Sequence, residues 1–143
     1  MKVLTLTLAT LASVALLLAG DSAVTYVDHE KASVALSKGG PLAKGDDFTV
    51  SGARRNGPGQ VEVHDKETDI FYIVDGEATF VTGGTMVGGK MSKAGQWLGT
   101  DIQGGVTHHL AKGDVITIPA GTPHWFKQVP LAINYYVVKV LKP

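Results

Sequence analysis

Short β-forming runs separated by glycine-rich turns fill the chain from residue 48 onward, and this pattern constrains the fold most. The segments FTVSGARR (48–55) and QVEVH (60–64) flank Asn56-Gly57-Pro58-Gly59, which predicts a hairpin turn between them. A third apolar run ends at Asp75-Gly76, and AINYYVVKV (132–140) is rich in β-branched and aromatic residues. Many short strands with regular turns predict an all-β fold, a small barrel or sandwich. Further glycine pairs interrupt the middle of the chain at 83–84, 88–89 and 104–105.

The composition bounds the size and the chemistry of the protein. The chain has 143 residues, 13 Lys and Arg against 13 Asp and Glu, and no cysteine. This length predicts one domain with a core of its own. Balanced charge argues against a nucleic-acid interface, which needs an excess of basic residues. Without cysteine, disulfides and thiolate chemistry are excluded.

The first residues have the layout of a secretory signal peptide. Lys2 precedes an apolar run that carries no charge until Asp21 and ends in small residues. We therefore expect a signal peptide over residues 1–20, cleavage between Ala19 and Ala23, and a single domain over 21–143. The mature protein would be exported, periplasmic or secreted, and free of the membrane. The alternative is an uncleaved anchor, for which this run, diluted by threonine and serine, is marginal in length.

A short helix is predicted ahead of the strands. Asp28 can cap its first turn, an apolar side follows over 32–36, and Gly39-Gly40 ends it. The expected architecture is therefore one helix outside a small β-barrel.

The candidate functional residues lie where strand alternation brings polar side chains onto a common face. A carboxylate and a histidine share one face of the strand at 60–64, and an aspartate opens the next strand. A second histidine follows the Pro119-Ala120-Gly121 corner. Three groups share faces in this way: Gln60 with Glu62 and His64, Asp69 with Phe71, and His124 with Phe126 and Gln128.

These residues resemble the two signature segments of the cupin superfamily. The first cupin segment has a glycine, His-x-His, a glutamate and a second glycine, and the second has a glycine, Pro-x-Gly, a histidine and an asparagine. The chain matches the first at 57–76 with Gly57, Glu62, His64, Asp69 and Gly76. It matches the second at 113–128 with Gly113, Pro119, Gly121, His124 and Gln128.

The resemblance implies a double-stranded β-helix, or jelly-roll, with a divalent metal ion in the barrel. Metal-binding cupins hold the ion with histidines and a glutamate; here Glu62 replaces one histidine and Asp69 replaces the glutamate. Imidazole and carboxylate both suit Fe(II), Mn(II) and Zn(II). The implied ligands are His64, Asp69 and His124, with Glu62 as a fourth ligand or a catalytic base.

Two functions stay open. The first is a metal-dependent enzyme, a dioxygenase or isomerase acting on a small oxygenated metabolite. The second is a non-catalytic barrel without metal that binds a small, sugar-like molecule. His108 is a rival ligand, since it shares a strand face with Leu110, whereas His109 points the other way. The substrate pocket would be lined by Gln60, Phe71, Phe126, Gln128 and Tyr136, although the aromatic residues also suit simple core packing.

The expected partners are a small-molecule ligand and a second copy of the chain. A homodimer is expected because four apolar side chains are predicted to face outward and would leave an exposed patch on a lone barrel. These are Val61, Val63, Tyr72 and Trp125.

Overall fold

A computed structural model describes residues 24–142. The predicted signal peptide and its cleavage point lie outside these residues. The described part contains helix α1 (His29–Lys38) and twelve strands. The first six strands are β1 (Gly40–Lys44), β2 (Phe48–Arg55), β3 (Val61–His64), β4 (Glu67–Thr82), β5 (Thr85–Val87) and β6 (Lys90–Lys93). The others are β7 (Gln96–Gly99), β8 (Asp101–Gln103), β9 (Val106–Ala111), β10 (Val115–Ile118), β11 (His124–Gln128) and β12 (Ile133–Leu141).

Helix α1 forms as the sequence predicts. The Asp28 carboxylate accepts a hydrogen bond from the Lys31 backbone N–H at 2.9 Å, which satisfies a free donor of the first turn. Gly39 ends the helix with a φ of 76°. Ala35 is buried where the helix packs on β2. Within residues 24–142, no helix is long and apolar enough to cross a membrane.

Strand β4 joins two antiparallel sheets and so creates the barrel. Its first part pairs with β12 and β10, and β12 continues the first sheet to β2 and β1. Its second part pairs with β9 and β11, and β11 continues the second sheet to β3, β7 and β6. Strands β5 and β8 form a separate two-stranded ribbon.

Gly76 lets β4 pass from one sheet to the other. Its φ is +83°, and a Cβ at this position would collide with the Ala132 carbonyl oxygen. The apolar run seen in the sequence ends at Asp75-Gly76, but the strand does not: β4 runs on to Thr82. Asp-Gly is a strong turn signal, but here the glycine bends a continuous strand.

The hairpin predicted at 56–59 is wrong. Strand β2 pairs with β1 and β12, whereas β3 pairs with β7 and β11, so the two strands belong to different sheets. The connection is held instead by β11: the Gly59 N–H donates to the Phe126 carbonyl at 2.9 Å, and the Trp125 indole donates to the Gly59 carbonyl at 2.7 Å.

The hydrophobic core lies between the two sheets. Phe71 and Phe126 stack with ring centroids 5.9 Å apart, and Phe80 and Tyr135 pack beside them. We call these four residues the aromatic core. Aliphatic side chains extend it, namely Ile73, Leu110, Ile118, Val129 and Ile133.

One part of the predicted outward apolar patch is wrong. Val61 is fully buried, although it does not belong to the hydrophobic core described above. Val63 and Trp125 are half-buried. Tyr72 is the member of the set that is well exposed.

Candidate metal centre

Seven ionisable side chains meet at one end of the barrel interior. Strand register places them there: His124 pairs with Glu62, and Lys139 pairs with Asp69. Side chains of directly paired residues lie on the same side of a sheet, so these four point inward together. We call the full set the polar cluster; it comprises Arg55, Glu62, His64, Glu67, Asp69, His124 and Lys139.

Three members of the polar cluster are also the buried polar side chains of the described part of the chain. His64, Asp69 and His124 are each less than 10% exposed. Burial of polar groups is costly unless partners compensate it. The concentration of buried polar groups at one place therefore makes this end of the barrel the candidate functional site.

The two histidines face each other across the cluster. Their ring centroids are 5.1 Å apart. His64 Nε2 lies 3.5 Å from Glu62 Oε2 and 3.5 Å from Asp69 Oδ2, and His124 Nε2 lies 3.8 Å from the same Asp69 oxygen. The structure thus brings together all four side chains that the sequence predicts as metal ligands.

Potential ligand atoms form two overlapping trios. Glu62, His64 and His124 each offer one atom within 4.8 Å of the others, and so do His64, Glu67 and Asp69. Two imidazoles and a carboxylate form a donor set that Fe(II), Mn(II) and Zn(II) accept. The residues present therefore fit a divalent ion.

His124 is held in the form that a metal ligand requires. Its Nδ1 lies 3.0 Å from the Thr122 carbonyl oxygen, which can only accept, so Nδ1 carries the proton. Nε2 then keeps its lone pair and points toward Asp69. Burial lowers the pKa of His124, which keeps the imidazole neutral. A backbone carbonyl that orients a ligating histidine in this way is common at metal sites.

His64 lacks hydrogen-bond partners. Both ring nitrogens are buried and neither makes a hydrogen bond; the carboxylates at 3.5 Å and beyond act as charges across a gap. Burial disfavours its imidazolium form, but Asp69 and Glu62 outweigh burial and raise the pKa of His64 to about 9. A buried imidazole without a partner calls for an additional group at the site.

Lys139 pairs with Asp69, and sequence reasoning missed it. Its Nζ donates to Asp69 Oδ1 at 2.8 Å and Oδ2 at 3.0 Å, and lies 3.1 Å from Glu67 Oε2. Burial would raise the pKa of Asp69, but the nearby His64 imidazole and the hydrogen bonds from Lys139 lower it, so the carboxylate is ionised. Lys139 lies in phase with Tyr135 on β12 and therefore points inward, whereas the predicted inward position of Tyr136 would have turned Lys139 outward.

Arg55 enters the polar cluster from β2 and was missed as well. Its guanidinium lies 4.9 Å from the centroid of Phe126, and its Nη2 lies 3.7 Å from Glu62 Oε1. His64 is the main cause that lowers the pKa of Glu62, and Arg55 adds to it.

The structure does not assemble the predicted substrate pocket. Phe71 and Phe126 belong to the aromatic core. Gln60 is exposed beside a groove that contains Lys90 and Leu98. Gln128 is also exposed, because a register shift after Phe126 breaks the alternation of β11.

Tyr136 is the last correction to the predicted pocket. Strand β12 turns Tyr135 inward, with its ring centroid 5.0 Å from that of Phe71, and leaves Tyr136 paired with Tyr72 on the other face. A register shift between Asn134 and Tyr135 sets this phase. Sequence alternation alone does not reveal where such a shift falls.

The adjacent histidines of β9 point to opposite faces, as predicted. His108 pairs with Phe80 on the inward face, and its Nε2 lies 2.8 Å from Thr82 Oγ1. His109 is exposed, 3.4 Å from Glu77. Neither histidine belongs to the two trios of potential metal ligands found in residues 24–142.

Comparisons with solved structures show the same architecture. The Cnp3 cupin domain of Schizosaccharomyces pombe matches with a TM-score of 0.53 and 15% identity, over 72% of this chain and 59% of that chain. The protein BH2720 from Bacillus halodurans matches with a TM-score of 0.52 and 16% identity, over 72% and 69% of the two chains. The chain thus spans about three fifths of the yeast chain. At these identities the likeness concerns the fold alone.

Family comparison covers most of the chain. A search of curated proteins finds no match. The family model described as "Cupin" matches residues 21–140, which include both trios of potential ligands and every strand but the last residue of β12. This extent confirms the resemblance seen in the two signature segments and the all-β, double-stranded β-helix fold. The chain belongs to the cupin family.

Proposed function

We propose that the polar cluster binds a divalent cation through Glu62, His64 and His124, and that the bound ion receives a small oxygenated molecule. The observation that carries this proposal is the state of His64: both ring nitrogens are buried without a hydrogen-bond partner, beside two other potential ligands. Iron, manganese and zinc are the candidates that the donor set suits.

We assign the ion to this trio because of Lys139. Both oxygens of Asp69 already accept from the Lys139 ammonium, and Glu67 lies next to the same group. Glu62 is more open, with its side chain 33% exposed and 3.7 Å from Arg55. Asp69 remains a predicted ligand, and it would bind the ion only by weakening its pair with Lys139.

The protein residues have distinct roles in this proposal. A bound ion supplies Lewis acidity and a template for the oxygen atoms of the ligand. The Thr122 carbonyl orients His124. Lys139 keeps Asp69 ionised beside both histidines, and Glu62 lies at the solvent side, where its carboxylate can accept a proton if it is not bound to the ion. Such a site suits a dioxygenase- or isomerase-type reaction.

Elemental analysis tests the cation. Protein stripped with a chelator is titrated with Zn²⁺, Mn²⁺ or Fe²⁺ (iron without oxygen), dialysed and assayed for metal. We expect about one ion per chain in the wild type, and loss of most of it in His64→Ala and His124→Ala. His109→Ala is the matched control because His109 is exposed. Wild-type metal content in both site variants would refute the proposal.

A second function is favoured by the charges of the polar cluster. Lys139 and Arg55 already face its three carboxylates, and protonation of His64 adds a third positive charge. The cluster is therefore neutral without a metal ion, as a barrel that binds a sugar-like molecule would be. An absence of metal uptake, together with thermal stabilisation by a neutral sugar, would favour this function.

We also propose export and dimer formation. Export rests on the apolar leader over residues 1–20, and intact-mass analysis should find an N-terminus between Gly20 and Val24. A homodimer is supported by Tyr72, which is 48% exposed on the first sheet. Light scattering that gives a monomer mass at micromolar protein would argue against the dimer.

A further inference from the structure

Arg55 has hydrogen-bonding capacity that its neighbours do not use. The Nε proton is buried and has no partner, and Nη2 lies 3.7 Å from Glu62 Oε1. A charge-assisted N–H···O bond is about 2.8 Å long, so Glu62 is not bound closely to this edge of the guanidinium. The Nε and Nη2 groups together form a fork of two donors that matches the two oxygens of a carboxylate.

The guanidinium is fixed in position and partly open to solvent. It lies over the ring of Phe126, and Gly59 passes so close to Nη1 that a Cβ at Gly59 would overlap it. The Arg55 side chain is 28% exposed, compared with 5% for His124. A ligand from solvent therefore meets Arg55 and Glu62 before it reaches the histidines.

Lys139 is the other inward cation, and its ammonium already has partners within the protein. Lys139 directs its ammonium to both oxygens of Asp69 and to Glu67, at 2.8 to 3.1 Å. The ammonium thus has two hydrogen bonds to Asp69 and an ion pair with Glu67. Of the two inward cations, Arg55 is the one with a free donor.

Charge gives a second, independent indication. When a divalent ion is bound and both imidazoles are neutral, the ion and the two side-chain cations exceed the three carboxylates by one positive charge. A ligand with one negative charge would neutralise the loaded cluster. Low exposure of the cluster limits screening by solvent and strengthens this preference.

We propose that the ligand of this site is a small carboxylate anion, that the Nε and Nη2 groups of Arg55 bind its carboxylate, and that its other oxygen atoms face the metal ion. This inference rests on the proposed metal site. It narrows the ligand from small oxygenated molecules in general to organic acids, and it makes Arg55 the residue that selects them.

The test compares an acid with its neutral analogue. Zinc-loaded protein is titrated with glycolate and, separately, with glycolamide, which replaces the carboxylate by an uncharged amide. Zinc itself favours glycolate, so the measured quantity is the ratio of the two affinities in each variant. We expect this ratio to fall at least about tenfold in Arg55→Gln, because a charge-assisted bidentate pair is lost.

Arg54→Gln is the matched control. Arg54 precedes Arg55 on β2, is exposed, and donates to the Asn134 side chain at 3.0 Å. Its variant should keep the wild-type ratio. Circular dichroism and retained zinc check that each protein is intact; Arg55→Lys, which keeps the charge but lacks the fork, replaces Arg55→Gln if the latter misfolds and should also lower the ratio.

The outcomes separate the two proposals. A ratio that falls only in the Arg55 variants supports the carboxylate inference. Equal ratios in wild type and Arg55→Gln, with zinc still bound, overturn it and leave the metal site intact. A wild type that takes up none of Zn²⁺, Mn²⁺ and Fe²⁺ overturns the metal site, and the inference fails with it because the excess positive charge is then absent.

Discussion

Asp69 and Phe71 lie two residues apart on the same inward face of β4, yet Asp69 pairs with Lys139 and Phe71 packs among aromatic rings. The same change between neighbouring inward positions occurs on β11, where His124 belongs to the polar cluster and Phe126 to the aromatic core. The same strands therefore contribute side chains to both the polar cluster and the aromatic core. Burial of the aromatic core stabilises the folded protein because apolar surface leaves water. The buried charges of the polar cluster lose their hydration, and their pairing with one another compensates only part of that cost.

This difference indicates that the two regions have different roles. A barrel selected for stability alone would continue the aromatic packing to its end, because replacing buried ion pairs by apolar residues is often neutral or stabilising. Stability alone therefore does not account for the polar cluster, in agreement with the binding role proposed for it. Variants that alter one region at a time test whether stability and binding are divided in this way.

The largest loss of stability is expected from a substitution in the aromatic core. Phe80 is fully buried, with ring centroids 4.6 Å from Phe126 and 5.9 Å from Phe71. Phe80→Ala removes this packing and leaves a cavity, and we expect a loss of about 3–5 kcal/mol in the free energy of unfolding. Urea denaturation measures it. Phe48→Ala is the control, since Phe48 is 38% exposed, and an equal loss there would contradict the assignment of stability to the core.

The next effect concerns pH and the polar cluster. Burial opposes protonation of His64, but Asp69 and Glu62 raise its pKa from 6.5 to about 9 in the folded protein. The folded protein thus holds this proton more tightly than the unfolded chain does. The contribution of this His64 proton to stability is complete below pH 6.5 and is lost as the pH rises through 9. In the metal-free protein the free energy of unfolding should fall by roughly 3 kcal/mol over this range.

Urea denaturation between pH 6 and 9.5, in the presence of a chelator, measures this effect. His64→Gln should remove the pH dependence and leave a flatter profile. A wild type and a variant with the same profile would show that His64 does not carry the buried proton.

A smaller loss is expected when the lysine of the polar cluster is removed. Lys139→Met leaves the Asp69 carboxylate buried without its closest cation, at a cost of about 1–2 kcal/mol, since Lys139 is partly exposed and screened by water. The double variant Lys139→Met, Asp69→Leu should recover most of this loss, because the most deeply buried carboxylate is removed together with its cation, and Glu67, which also pairs with Lys139, is partly exposed. Lys112→Met, on the surface, serves as the control. A double variant less stable than Lys139→Met would contradict the view that the pair does not serve stability.

Local patterns predicted the fold and four of the seven side chains of the polar cluster, namely Glu62, His64, Asp69 and His124. The capped helix, β2, and the inward positions of His64, Asp69 and His124 follow from residue types and alternation over a few positions. These signals are short in range, and the spacing of the two cupin segments reinforces them.

The missed residues depend on long-range register. Lys139 meets Asp69 across 70 positions of sequence, and local alternation does not fix the register in which β12 aligns with β4. The register shift before Tyr135 and the continuous passage of β4 through Gly76 also lie outside what alternation predicts. For these reasons Arg55 and Lys139 were missed and Tyr136 was placed inward in error.

The smallest effect is expected at His108, which marks the boundary between the two regions. It lies on the inward face opposite Phe80, and its hydrogen bond to Thr82 is 2.8 Å long. His108→Ala should cost about 1 kcal/mol, the typical value of one part-buried hydrogen bond, and should leave the metal content unchanged. Metal analysis beside urea denaturation distinguishes the two properties. A variant that loses its metal would extend the polar cluster to β9 and make His108 the ligand that replaces the missing histidine of the first cupin segment.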